Sequence, residues 1–259
     1  MTALDDIKPM ASSALDKFHR SRIKKLEDIT LEKFIKRMNP YALRALGFSN
    51  PAKLTQYAFA GHMYLSNATA LGDKFFEAIV QNLPGFRASK TPGMDADRDL
   101  PGVQEIYQIK SGIHQLNCTE FAGVCRAFDK IRKGFGTHRS GNRLDTILGY
   151  AYGRTKRKTA SCQVLAGQAF WTHVTGDSGF YIELNTLVGE VSRDWVNTYR
   201  IKWDEAAERV ETGLLNNFCI DGRIDFDKFT RVTCAIDAQE EEEEDGKRLD
   251  CITPRQQTL

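Results

Sequence analysis

The sequence predicts an α/β protein in which helices cover both faces of a sheet, preceded by a helical N-terminal region. Three observations predict this class: helical periodicity before residue 90, strand-like apolar segments between residues 94 and 165, and renewed helical periodicity after residue 167. Segments of both kinds bury their apolar faces against one another in layers. Apolar residues make up 41% of the 259 residues, which is enough for a large core.

Residues 1–90 are predicted to be mainly helical. Between residues 11 and 38, apolar side chains recur at helical spacing, and Asn39-Pro40 ends this segment. Residues 51–65 begin with a proline, which suits the first position of a helix. Residues 72–80 form a further amphipathic segment that predicts a third helix.

Residues 91–235 are predicted to form the α/β core. Residues 94–112 have the pattern of a strand hairpin, and Asn117 and Glu120 then have the spacing of a helix-capping box. The remaining predicted elements are a loop at 134–142, a buried strand at 146–153, a basic turn at 154–158, a short strand at 162–165, and helices at 167–174 and 181–199. An acidic run at 240–245 predicts a disordered tail over 236–259.

Positive charge is concentrated just after the hairpin. Residues 126–158 contain ten Lys or Arg and two acids, a local net charge of +8, whereas the whole chain carries +2. Such a concentration attracts polyanions, nucleic acids among them. A solvated helix face followed by a basic turn explains the same charges equally well, so the charge alone leaves both interpretations open.

Two classes of protein are excluded by composition. The chain has no apolar run of roughly eighteen residues, so no transmembrane helix is predicted, and residues 1–16 lack the apolar region of a signal peptide. The six cysteines include no C-x-x-C pair, which favours reduced thiols in a cytosol over a zinc site or a disulfide framework.

Three polar residues of the hairpin are placed to act together. Because side chains alternate along a strand, Gln108 and Lys110 project to one side while Tyr107 and Ile109 project to the other. Asp95 lies on the first strand of the same hairpin. A carboxylate, a second oxygen ligand and an ammonium group that converge suit metal-assisted attack of water on a phosphodiester. As a bare spacing the pattern is weak, because a plain hairpin that ends in a solvated lysine looks the same.

The surroundings of these residues resemble a known nuclease superfamily. Gly93-Met94-Asp95, followed by Gln108-Ile109-Lys110-Ser111-Gly112 and a capped helix, resembles the PD-(D/E)XK nucleases. Over residues 39–195, further segments in the same order resemble type II restriction endonucleases of the PmeII kind: Asn39-Pro40-Tyr41, Thr69-Ala70-Leu71-Gly72 before Glu77, Tyr152-Gly153, and Gly167-Gln168-Ala169-Phe170-Trp171. The resemblance implies a restriction-endonuclease-like mixed sheet flanked by helices.

Matched position by position, the resemblance implies that Asp95 binds the metal, that Gln108 occupies the acidic position, and that Lys110 is the catalytic lysine. Gln108 departs from the usual Asp or Glu, since its amide oxygen is able to bind Mg²⁺ but brings no charge. A further carboxylate is therefore expected beside Asp95. The two candidates are Glu77 from the preceding helix and Asp97 from the same strand.

Contacts to DNA are expected from residues that follow the catalytic lysine. The candidates are Ser111, Asn117, Lys133, Arg139, Arg143, Arg154, Lys156 and Arg157. Asn117 has an equally good structural explanation as a helix cap, and nothing in the sequence indicates which arginine contacts guanine. Strand alternation points Glu105 away from the site.

The resulting prediction is a Mg²⁺-dependent, site-specific double-stranded DNA endonuclease, a type II restriction enzyme that leaves 5′-phosphate ends. The resemblance implies a homodimer that cuts a palindromic site, with residues 1–90 serving dimerisation or embracing the DNA. It also implies a bacterial cytoplasmic location and a cognate DNA methyltransferase in the same cell. Two alternatives stay open: a structure-directed repair or recombination nuclease, and a nucleic-acid-binding protein that does not cut.

Overall fold

The computed structural model describes residues 3–113, 116–138 and 143–234. By their contacts these residues group into two units, one formed by 3–27 and 62–203 and the other by 28–61 and 204–234. Each unit combines segments that are distant in the chain, whereas the boundaries expected at residues 90 and 235 divide it in sequence order. The tail expected over 236–259 lies outside the described residues.

The first unit contains a six-stranded mixed sheet, which confirms the predicted fold class. In chain order its strands are β1 (Phe86–Ala88), β2 (Ala96–Leu100), β3 (Val103–Gly112), β4 (Arg143–Tyr152), β5 (Lys156–Lys158) and β6 (Gln163–Ala166). Their spatial order is β1-β2-β3-β4-β6-β5, in which β3, β4 and β6 are parallel and the other neighbouring pairs are antiparallel. The C-terminal ends of β3, β4 and β6 therefore meet at one edge, called the carboxyl edge below.

Helices account for most of the other described residues. They are α1 (Ala3–Asp28), α2 (Leu31–Ile35), α3 (Pro40–Ala45), α4 (Pro51–Leu71), a π-helical turn (Gly72–Phe76), α5 (Glu77–Gln81), α6 (Cys118–His138), α7 (Gln168–Thr175), α8 (Phe180–Phe218) and α9 (Phe226–Cys234). A small hairpin of β7 (Cys219–Ile220) and β8 (Arg223–Ile224) lies in the second unit. None of the described helices is both long and apolar enough to cross a membrane.

Apolar residues at alternate positions of β3 form a cluster on each face of the sheet. On one face Tyr107 and Ile109 are buried in a cluster that includes Trp171 of α7. On the other face Ile106 is buried with Phe128 of α6. Full burial of a side chain of this size contributes about 1.5–3 kcal/mol. The even-numbered residues of β3 thus share the α6 face, as the predicted alternation requires.

Several predicted elements are wrong in their extent: the helices predicted over 51–65 and 181–199 continue to Leu71 and Phe218, and three other elements differ for identifiable reasons. The helix predicted over 11–38 begins at Ala3 and is divided after Asp28, because Thr30 caps α2 through its Oγ1, which accepts from the Lys33 amide (3.3 Å). The loop predicted over 134–142 is helical as far as His138, since tertiary packing overrides the low helix propensity of glycine. The basic turn predicted over 154–158 contains β5, because these residues pair with β6 at the edge of the sheet.

Candidate active site

The β2–β3 hairpin holds Asp95 against β3. The residue pairs of the hairpin begin at Ala96, which lies across from Tyr107, so Asp95 directly precedes the paired part of β2. The Asp95 amide donates to the Tyr107 carbonyl oxygen (2.8 Å), and the Ile109 amide donates to Asp95 Oδ2 (2.6 Å). The backbone of β3 therefore orients the Asp95 carboxylate at Ile109, the residue between Gln108 and Lys110.

Glu77, the first residue of α5, brings a second carboxylate into range of Asp95. Burial, followed by the negative charge of Asp95, raises the pKa of Glu77 to about 7, and the positive charge of Lys110 opposes the shift. Burial also raises the pKa of Asp95, against the hydrogen bond from Ile109 and the charge of Lys110. Three carboxylates and one ammonium group thus interact at this point, because the charge of Asp73 in the π-helical turn also raises both pKa values. The carboxylates repel one another, and a bound cation would relieve this repulsion.

Gln108 adds an unsatisfied oxygen to this cluster. Its Oε1 atom is buried and has no hydrogen-bond partner among the described residues. A buried acceptor without a partner costs about 1–3 kcal/mol, so the position favours a ligand that the oxygen can bind. Nowhere in the described part of the chain do three or more His, Cys, Asp or Glu side chains form a group able to hold a metal. The oxygen donors here are the carboxylates of Glu77 and Asp95 and the Gln108 amide, and the charge of the exposed Asp73 acts on both of these carboxylates.

Asp97, the other candidate carboxylate, is engaged elsewhere. Its Oδ2 atom lies 3.5 Å from Arg87 Nε of β1, and its side chain is 7% exposed. Its other oxygen, Oδ1, is buried without a hydrogen-bond partner among the described residues. Neither Asp95 nor Glu77 has a pKa shifted by Asp97. Of the two candidates, Glu77 is therefore the one that interacts with Asp95.

The π-helical turn sets the position of Glu77. At Gly72 the helix approaches β3 so closely that an added Cβ would lie 2.5 Å from Ser111 Oγ. The Ser111 hydroxyl donates to the carbonyl oxygen of Ala68 on α4 (2.6 Å), and the residue is 1% exposed. This burial leaves Ser111 no surface to offer to DNA, so the predicted contact is replaced by a structural role. π-Helical turns are often found at functional sites, and this one joins the strand of Lys110 to the helix of Glu77.

Glu105 points away from the site, as strand alternation predicted, into a buried polar cluster. Arg98 Nη2 lies 2.6 Å from Glu105 Oε2, the Tyr107 hydroxyl donates to the same oxygen (2.5 Å), and His173 Nε2 lies 3.2 Å from Oε1. Burial alone would raise the pKa of Glu105, but hydrogen bonds from His173, Tyr107 and Arg98 lower it to about 2. The cluster ties β2 and β3 to α7. No local pattern in the sequence indicates this cluster, because His173 lies far along the chain from the hairpin.

The predicted DNA-contact residues separate into two groups. Arg154 and Lys156 are exposed at the carboxyl edge, where Lys110 also lies. Arg143 pairs with the first residue of β3, seven positions before Lys110, and at about 3.3 Å per residue this is about 23 Å away. Lys133 is near that distant end, since its neighbour Arg132 donates to Thr146 at the start of β4 (2.8 Å). Arg139, which was also predicted to contact DNA, lies outside the described residues.

Two further candidates have identifiable local contacts. Asn117 Oδ1 accepts from the Glu120 amide (2.9 Å) and Glu120 Oε2 accepts from the Asn117 amide (2.8 Å), which confirms the predicted capping box at the start of α6. The Arg157 guanidinium lies over the Phe121 ring, 5.3 Å from its centroid, in a cation–π contact. Both Asn117 and Arg157 are exposed.

Comparison with known proteins points to one family. A family model described as type II restriction endonuclease EcoO109I matches residues 5–195 of the chain. The matched stretch contains all six strands of the sheet, the hairpin with Asp95 and Gln108, and the helix with Glu77. A search of curated proteins returned no match.

Proposed function

The chain belongs to the type II restriction endonuclease EcoO109I family, and from this premise we propose that it cuts double-stranded DNA at a specific site with Mg²⁺ and leaves 5′-phosphate ends. The proposal for the cofactor and for the site is supported by the electrostatic interaction of Glu77, Asp95 and Lys110. We further propose that Asp95, Gln108 and Lys110 form the motif of the PD-(D/E)XK nucleases, with Gln108 at the acidic position.

The donor set fits Mg²⁺. Asp95 and Glu77 supply charged oxygens, and Gln108 supplies a buried oxygen that has no other partner among the described residues. Mg²⁺ prefers oxygen ligands, takes few of them from the protein and keeps several waters. When bound, it would offset charge on the scissile phosphate and make a bound water more acidic.

The residues of the chain have separate roles in this mechanism. Asp95 is held by the Ile109 amide, so its carboxylate is oriented before a ligand arrives. The Lys110 ammonium, on the same face of β3 as Gln108, stabilises negative charge that develops on the phosphate and orients the attacking water. Glu77 brings the second charge that Gln108 lacks, and Arg154, Lys156 and Arg157 bind phosphates at the carboxyl edge.

A cleavage assay with the Lys110→Ala variant tests the mechanism. Purified protein with Mg²⁺ is expected to cut a complex DNA into discrete fragments, and Lys110→Ala is expected to bind the same DNA without cutting it. Lys24→Ala, an exposed lysine of α1, is the matched control and should cut normally. Cleavage that persists in Lys110→Ala would refute the assignment of Lys110.

The same digest decides between this function and its alternatives. Cutting only branched or mismatched DNA would favour a repair or recombination nuclease. Salt-sensitive DNA binding without metal-dependent turnover would favour a protein that no longer cuts, which the neutral Gln108 makes a specific alternative.

We also propose that two copies act together on a palindromic site, since two identical active sites are needed to cut both strands symmetrically. A cognate methyltransferase in the same bacterial cytoplasm would then protect the host DNA. Light scattering of the purified protein at cleavage concentrations is expected to give twice the 29.3 kDa chain mass. A monomer that cuts both strands would contradict this proposal.

A further inference from the structure

A cleft of about 910 Å³ opens at the carboxyl edge of the sheet, within the first unit. Its walls include Phe76, the residue before Glu77, and Tyr152, the last residue of β4. The Tyr152 ring covers Gly112, two residues beyond Lys110, so closely that a side-chain carbon at Gly112 would lie 2.1 Å from Tyr152 Cζ. The cleft therefore begins where the proposed catalytic strand ends.

The strand register gives the distance from the proposed catalytic lysine to the cleft. Lys110 pairs with Tyr150 of β4, and Tyr150 pairs with Ala166 of β6, which lines the cleft. Neighbouring strands are about 4.8 Å apart, so Lys110 and Ala166 are separated by about 10 Å. Consecutive base pairs along a strand are about 3.4 Å apart. This distance joins backbone positions along the carboxyl edge, so a DNA strand that follows this edge from Lys110 would reach the cleft about three nucleotides away.

The charges around the cleft suit a polyanion. Arg154 and Lys156 line it and are exposed, and no Asp or Glu is found among its described lining residues. Within the described part of the chain, neither cation forms a hydrogen bond or an ion pair. Cations that no acid neutralises beside aromatic walls are the features that hold a nucleic-acid strand.

Two uncharged amides stand at the same cleft. Gln168, the first residue of α7, and Asn185 of α8 both line it and are exposed. The Gln168 amide nitrogen donates one of its two protons to the Ser178 carbonyl oxygen (3.1 Å), which leaves its second proton and its oxygen for a ligand. A side-chain amide presents a donor and an acceptor side by side, which matches the paired acceptor and donor on the major-groove edge of adenine. Arg154 carries the fork of donors that matches guanine. The amides add no charge, so they contribute to the selection of bases more than to the attraction of the DNA strand.

We propose that the cleft seats one DNA strand about three nucleotides from the cut phosphate, and that Asn185 and Gln168 determine sequence specificity by hydrogen bonding to base edges there. This inference rests on the proposed function, because it needs DNA to lie across Lys110. Lys156 holds the backbone, and the amides select the bases beside it. The specificity-determining residues then lie on α7 and α8, outside the basic segment 126–158.

The test compares two asparagines of the same helix. Asn185→Ala and Asn197→Ala are incubated with Mg²⁺ and a DNA library in which the bases around the mapped cleavage site are varied. Asn197 is the matched control, since it is exposed on α8 outside the cleft. Loss of a base-edge pair in Asn185→Ala is expected to reduce discrimination at one position by about 5- to 150-fold. Asn197→Ala is expected to keep the wild-type preference.

A second variant separates a lost contact from a folding defect. Asn185→Asp keeps the shape of the side chain but removes its donor, and is expected to change the preferred base with an unchanged unfolding temperature. Lys156→Ala is expected to weaken binding to all sequences and to reduce the slope of log affinity against log salt by about 0.9, with Lys24→Ala unchanged.

The outcomes distinguish this inference from the proposed function. If the wild-type protein cuts no DNA, the proposed function fails and this inference fails with it. If the wild-type protein cuts at a defined site while Asn185→Ala and Gln168→Ala both keep its base preference, this inference alone is overturned.

Discussion

Replacing Glu77 by glutamine is expected to stabilise the metal-free protein while impairing cleavage. Burial and the charge of Asp95 raise the pKa of Glu77 from 4.5 to about 7. The folded protein therefore binds a proton more tightly than the unfolded chain between these pH values, and the stability of the wild-type protein falls as pH rises through this window. Glutamine does not titrate, so the variant lacks this loss.

The magnitude follows from the shift. At 1.36 kcal/mol per pKa unit the difference corresponds to at most about 3 kcal/mol above pH 7. Because Glu77 is only partly buried, solvent screening reduces the expected gain to about 1–3 kcal/mol. Mg²⁺ is expected to reverse the order, since a ligand that binds the folded state stabilises it and the variant has lost one charged oxygen.

Urea unfolding in EDTA at pH 5 and pH 8 measures the effect. The free energy of unfolding should be similar for wild type and Glu77→Gln at pH 5 and higher for the variant at pH 8. Glu208→Gln, an exposed glutamate of α8, is the control and should follow the wild type at both pH values. Equal free energies of unfolding for wild type and Glu77→Gln at pH 8 would contradict the conclusion that burial and Asp95 destabilise the ionised Glu77 carboxylate.

Three other substitutions probe the elements around the site. Gly72→Ala is expected to destabilise the protein by about 1–3 kcal/mol in urea unfolding, because the new methyl displaces the buried Ser111 hydroxyl, whereas Gly61→Ala of α4, with open space around it, should not. Glu105→Gln is expected to lower the free energy of unfolding by about 3 kcal/mol at pH 7, because the pKa of Glu105 in the folded protein is about 2. This contribution is present above pH 4.5 and is lost as pH falls towards 2. The free energies of unfolding of the variant and the wild type should therefore become equal in acid. Gln108→Glu is expected to lower the Mg²⁺ concentration that gives half-maximal cleavage, and an unchanged titration would contradict the role of Gln108 as a ligand position.

The hairpin was predictable because its geometry is local. Strand alternation and a short connection are enough to place Gln108 and Lys110 on one face and to bring Asp95 next to β3, where the Ile109 amide donates to its carboxylate. The choice between Glu77 and Asp97 was not predictable. It depends on a close approach between two segments at Gly72 and on an arginine from another strand, neither of which leaves a periodic signal in the sequence.

The basic segment shows where counting charges fails. In the sequence, the local net charge of +8 over residues 126–158 suggests a single basic patch. In the structure, α6 leads away from the carboxyl edge and β4 returns to it. Lys133 and Arg143 consequently lie at the end of the sheet opposite to residues 154–158. The direction of each element, which composition does not encode, decides which cations are near Lys110.

The neutral side chain of Gln108 and the carboxylate of Glu77 together determine the charge of the site. With Gln108 neutral, the carboxylates of Glu77, Asp95 and Asp73 already act on one another against one ammonium group, and the pKa of Glu77 is about 7. An acid at position 108 would add a further carboxylate to this group, and like charges close together destabilise one another. The neutral amide therefore limits repulsion in the metal-free protein while its unpaired oxygen remains able to bind a cation. The carboxylate that β3 lacks is supplied from α5, and the π-helical turn at Gly72 is the element that brings it within range.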